Sequence, residues 1–80
     1  MNDLVKLVNA TIIRSNSTNT AYLINVELYD GEYMNAWFPV ATIQLEKLPG
    51  GATKDIYVEE WFLDKKQDEL AEEFVTEKTS

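Results

Sequence analysis

Residues 21–39 read AYLINVELYDGEYMNAWFP, and this stretch decides the fold class. Tyr22, Ile24, Val26 and Leu28 alternate with Leu23, Asn25 and Glu27, the period of a strand with one face buried. Asp30-Gly31 then suits a two-residue type I′ turn, because both residue types accept the positive φ angles it demands. The return strand runs from Glu32 to Phe38. Pro39 cannot donate to a ladder, so it belongs at an edge, bulge or corner.

Outward from this hairpin the chain remains β up to Val58. LVKLVNATIIR (residues 4–14) is rich in β-branched residues and stops at the turn formers SNSTNT. TIQLE (42–46) resumes the pattern and breaks at Leu48-Pro49-Gly50-Gly51, and DIYV (55–58) is a short last strand. After Val58 the period changes. Leu63, Leu70 and Phe74 fall on one helical stripe, and Glu59 and Glu60 complement the positive end of a helix. The expectation is a helix over 59–74.

The fold class that follows is α+β: a small, bent antiparallel sheet of four or five strands, curling toward a partial barrel, with one C-terminal helix. Residues 1–75 form the single domain and 76–80 a flexible tail. The expected core is Tyr22, Ile24, Val26, Leu28, Trp37, Ile43, Ile56, Val58, Trp61 and Leu70.

Composition narrows the chemistry. The chain has 80 residues and neither Cys nor His. A chain of this length buries roughly 60–65% of its unfolded surface, so the core is small. Disulfides, thiolate sites and imidazole ligands are excluded, and a Ser or Thr nucleophile lacks its usual base. Asp30-Gly31-Glu32 lacks the spacing of a calcium loop, and a carboxylate pair would need a cleft. No enzyme, metal or cofactor is expected. MNDLVKLVNA has neither the basic flank nor the apolar run of a leader, and no stretch is long enough to span a membrane, so the cytoplasm is the default location.

The net charge of −7 is unevenly placed. Residues 1–54 hold five acids and four bases; residues 55–80 hold nine acids and three bases. On the expected helix Asp64, Asp68 and Glu72 form one row, and Glu69, Glu73 and Glu77 another, each step rising about 6 Å. Like charges at this spacing cost a helix about 0.2–0.5 kcal/mol per pair, which Lys65 opposite Glu69 offsets in part. Such a line could imitate a phosphate strand and attract a basic protein surface. The aromatics Trp37, Phe38 and Trp61 read as core packing. No Lys or Arg lies within 33–46 to follow phosphates, so direct nucleic-acid binding is disfavoured. The alternative, an accessory module for single-stranded nucleic acid, needs Trp37 with Arg14, Lys6 and Lys54 gathered on one face.

The hairpin at Asp30-Gly31, then Trp37, Phe38, Pro39 and Ile43, then Val58, Glu60, Trp61, Asp64, Lys65 and Lys66 resemble a small domain of phage and prophage proteins. That domain has a Trp-Ile-Pro-Lys-Ser-Gln-Ile strand after a Gly-containing hairpin, followed by a Val-Pro-Glu-Trp-Leu-Ala-Glu-Lys-Lys-Gly-Leu segment. The likeness covers residues 20–67 and implies a phage-type origin and a β-rich fold, with no reaction attached. Val40-Ala41 stands where the pattern has Lys-Ser, which removes a cation. Gln67 stands where the pattern has Gly, which lets the helix run on into DELAEEF. The expectation is a phage-type inhibitor that binds a host protein, such as a nucleic-acid-binding or defence complex, in the host cytoplasm. Its contact residues would be Asp64, Asp68, Glu69, Glu72 and Glu73.

Overall fold

The structure, a computed structural model, describes residues 3–78, with Lys78 as backbone. The elements in chain order are β1 (Leu4–Leu7), β2 (Thr11–Ser15), β3 (Ala21–Glu27), β4 (Tyr33–Pro39), a 3-10 turn (Val40–Thr42), β5 (Ile43–Lys47), β6 (Thr53–Glu59), α1 (Glu60–Leu70) and β7 (Thr76–Lys78). One sheet has the order β5-β6-β1-β7 and the other β2-β3-β4, with antiparallel pairing throughout. The α+β class, the antiparallel pairing and the single helix follow the sequence reading. The strands number seven in two sheets among the described residues, and the sheets do not close into a barrel.

The segment read as one strand over 4–14 is two, because Asn9 adopts a left-handed φ of 56°. Asn tolerates that conformation better than most residues, and here it turns the chain from one sheet into the other.

The central hairpin is present, but its turn is longer than a type I′ loop. Gly31 donates to the carbonyl of Leu28 at 3.0 Å, and Leu28 donates to Glu32 at 2.8 Å. Gly31 carries a φ of 86°, while Asp30 has no positive φ and accepts the Glu32 amide on its side chain at 2.9 Å. This is a three-residue loop with glycine in the left-handed position. The extra residue sets the register, so that Ile24 lies opposite Ala36 and Tyr22 opposite Phe38. A two-residue turn would instead have set Ile24 opposite Trp37.

The helix is shorter than expected and the tail is not free. Ala71 takes a φ of 55°; its amide donates to Asp68 at 3.3 Å and that of Glu72 to Gln67 at 3.1 Å. This pair of bonds is a Schellman stop with alanine in the place glycine usually holds. Gln67, which was expected to prolong the helix, helps to end it: its side-chain oxygen accepts the Phe74 amide at 2.9 Å. The chain then re-enters the body. Phe74 bridges to Leu28, Val75 donates to Glu27 at 2.8 Å, and β7 pairs with β1. Residues 76–78 are therefore an edge strand; 79 and 80 lie outside the described residues.

Both sheets and the helix feed one core. Val5, Leu7, Ile24, Val26, Leu28, Ala36, Ile56, Val58, Leu63 and three phenylalanines are buried. Phe38 sits 5.8 Å from Phe62 and 6.1 Å from Phe74, ring centroid to centroid, joining β4, α1 and the segment before β7. Tyr22, Ile43 and Leu70 are half-buried around it. Among the described residues no helix is long and apolar enough to cross a membrane.

Candidate functional site

The expected core tryptophans face outward. Trp37 is 37% exposed and Trp61 50%, whereas their neighbours Phe38 and Phe62 are 0% and 8% exposed. For Trp37 the cause is the register just described: even-numbered residues of β4 share a face with Ile24 and Val26. For Trp61 it is the direction of α1, which begins at Glu60 with that residue's amide bonded to the Asp3 carbonyl at 2.9 Å. Phe62 and Leu63 then point inward and Trp61 outward. The Trp61 indole N–H donates to Glu59 at 3.0 Å, and its ring meets Phe62 edge-on at 5.8 Å.

This places Trp61, Asp64 and Asp68 along one exposed stripe of α1, three and four residues apart. Past the helix end Glu72 and Glu73 are exposed beside it, and an open groove is lined by Asp64, Gln67, Asp68, Ala71, Glu72 and Glu73. Of the five expected contact acids, Glu69 is held by Lys66 at 3.5 Å. The pairing of Lys65 with Glu69 is thus replaced by Lys66 at i,i+3. Asp64, Asp68, Glu72 and Glu73 have no cation within ion-pair distance among the described residues.

The two straight rows of acids do not form. Glu72 and Glu73 follow the helix stop, and Glu77 lies on β7, where it meets Lys6 at 3.6 Å. The negative surface is a compact cap around the end of α1 instead of a line with phosphate-like spacing.

Lys6 lies between Asp55 at 3.7 Å and Glu77 at 3.6 Å, and Lys54 meets Glu46 at 3.2 Å. The Tyr57 hydroxyl also donates to Glu46, at 3.2 Å. Hydrogen bonds from Lys54 and Tyr57 hold the Glu46 carboxyl below its ordinary range, and the bond to Glu46 raises Lys54. Desolvation, then the Glu46 contact, raises Tyr57. Arg14 lies on the other sheet, 5.1 Å above the Trp37 ring. Lys6 and Lys54 line one depression together with Asp55 and Glu77, but Arg14, over Trp37 on the other sheet, does not belong to it. No three of the described acids come together as a metal-holding group.

The chain matches no protein-family model, and comparisons with curated proteins and with solved structures gave no match either.

Proposed function

We propose that this chain is a non-catalytic binding module whose outer α1 stripe, with the acidic cap that follows it, docks on the basic surface of another protein. The observation that carries the reading is the pairing of four carboxylates lacking an internal cation, among the described residues, with a half-exposed tryptophan that shares a helix stripe with two of them, Asp64 and Asp68. A partner's lysines and arginines would be steered by the acids, while Trp61 supplies the aromatic anchor typical of interface hot spots. In the setting implied by the phage-type resemblance, the partner is a host cytoplasmic protein whose basic surface otherwise serves nucleic acid or defence, and docking inhibits it. The contact imitates charge density; the bent arrangement does not support imitation of an extended phosphate backbone.

Binding to single-stranded nucleic acid through the sheet aromatics is the weaker reading. Arg14 already covers the face of Trp37 on which a base would stack, and Lys6 and Lys54 are committed to carboxylates on the other sheet.

The test is capture of partners from a bacterial lysate at low and high salt, using the native chain and a variant carrying Asp64→Asn, Asp68→Asn, Glu72→Gln and Glu73→Gln. A basic protein should be retained at low salt, be released by salt, and be lost from the variant, whose circular dichroism stays native. A partner that the variant retains as well as the native chain ends this reading.

A further inference from the structure

A second surface carries the opposite sign. Thr20, Ala21, Trp37, Pro39, Phe62 and Lys66 line a shallow depression where the open end of the β3–β4 hairpin meets α1. Its walls are mostly apolar and no carboxylate belongs to the lining. Two cations flank it. The Arg14 guanidinium lies 5.1 Å above the Trp37 ring and has no carboxylate within ion-pair distance among the described residues. The Lys66 ammonium lies 5.7 Å from the Phe62 ring on a side chain only 15% exposed, and its one carboxylate neighbour, Glu69, is itself well exposed.

Lys6 and Lys54 are both tied to carboxylates, whereas Lys47 and Lys65, like Arg14, have no ion pair among the described residues. Arg14 and Lys66, however, are the two described cations that lie over aromatic rings, and in a chain of net charge −7 they set this apolar depression apart. We infer that the depression is a docking site for an extended acidic peptide segment, one that places a proline or another bulky apolar side chain against Trp37, Pro39 and Phe62 and a carboxylate on Arg14, Lys66 or both. Charge complementarity selects the carboxylate: Arg14 is a planar donor with unused N–H groups, and Lys66 is a shielded cation whose partial pairing a second acid would complete. A peptide fits better than a nucleic-acid strand. Only two cations are present, the acidic cap lies on the same helix, and Arg14 already occupies a stacking face of Trp37. This site is separate from the outer stripe of α1, because Phe62, Lys66 and Glu69 lie on the neighbouring stripe of the helix.

The test uses the native chain and an arrayed library of short blocked peptides. Each has proline or leucine at its centre, flanked by carboxylate, neutral or basic residues. Carboxylate-flanked peptides should be retained about tenfold better than their basic counterparts, the size expected of charge-assisted contacts. In two-dimensional amide spectra the retained peptides should shift the Trp37 indole resonance and leave that of Trp61 in place. Arg14→Glu alters an exposed side chain and should abolish retention without changing the remaining spectrum, whereas Glu69→Gln, which frees Lys66, should strengthen it. Retention independent of flanking charge, retention that persists in Arg14→Glu, or a Trp37 shift produced by oligothymidylate and not by any peptide would each overturn the assignment. Arg14→Glu leaves the acidic cap intact, so it should not affect capture of a basic partner, and the two surfaces fail or succeed separately.

Discussion

Trp37 and Phe38 are neighbours in sequence, and so are Trp61 and Phe62, yet in each pair the larger ring lies outside. Size alone does not decide burial. A tryptophan carries a polar N–H that needs a partner, and Trp61 finds one in half-buried Glu59. Stability should therefore respond to the phenylalanines. Phe74→Ala removes a side chain that is 1% exposed and should cost about 3–5 kcal/mol in urea unfolding. Trp61→Ala should cost about 1 kcal/mol or less. Equal losses at the two positions would contradict the placement of both rings. Ala71 offers the opposite test. It occupies a left-handed position that costs an L-residue about 1–2 kcal/mol. Ala71→Gly should raise stability by about 0.5–1 kcal/mol, the gain being reduced by glycine's freer unfolded chain. A lowered denaturation midpoint would show that Ala71 makes a contact worth more than the strain.

At the level of elements, one loop residue decides which aromatic is core. The alternation in 22–28 and the turn at Asp30-Gly31 were legible because strand period and glycine conformation are local properties. The loop length was not, since Asp-Gly suits both a two-residue turn and the last two places of a three-residue one. That single position shifts the pairing of β4 by one residue, and every side chain on it changes face. The same ambiguity explains how the acids were found but not their arrangement. Asp64, Asp68, Glu69, Glu72 and Glu73 are all exposed, but the helix stop at Ala71 carries no glycine to announce it. β7 was missed because Thr76-Glu77-Lys78 has no apolar alternation; it is held by its neighbour β1 and by Phe74 ahead of it. Deleting Glu32 tests the register directly. If the Tyr29-Asp30-Gly31 loop is kept, Leu28 meets Tyr33 and Ile24 meets Trp37, which drives Trp37 inward and Phe38 into water, and cooperative unfolding should be lost. A variant that melts like the parent would mean that the sheet, not the loop, sets the pairing.

For the whole molecule, charge sorts by region: an acidic cap at the end of α1, neutralised pairs across β5, β6, β1 and β7, and free cationic character beside Trp37. The Glu46–Lys54–Tyr57 cluster makes stability depend on pH in a defined direction. Glu46 is depressed in the folded state, so its contribution is present above the unfolded carboxyl pKa, about 4.3, and is lost as pH falls through the lower folded value. Lys54 and Tyr57 are raised, so theirs is present below about pH 10 and is lost as pH climbs through their folded values. Melting temperatures of Glu46→Gln and the parent should thus differ between these limits and converge at both extremes. A constant offset across the range would assign the effect to packing. The order of the larger sheet has a further consequence during synthesis. β1, near the start of the chain, lies between β6 and β7, which come last. A ribosome must therefore release the chain as far as Glu59 before β1 gains its first neighbour, and as far as Lys78 before it gains the second. Until then its apolar residues wait in the open, so the nascent chain should depend on holdase chaperones and be cleared quickly when translation stalls short of Phe74.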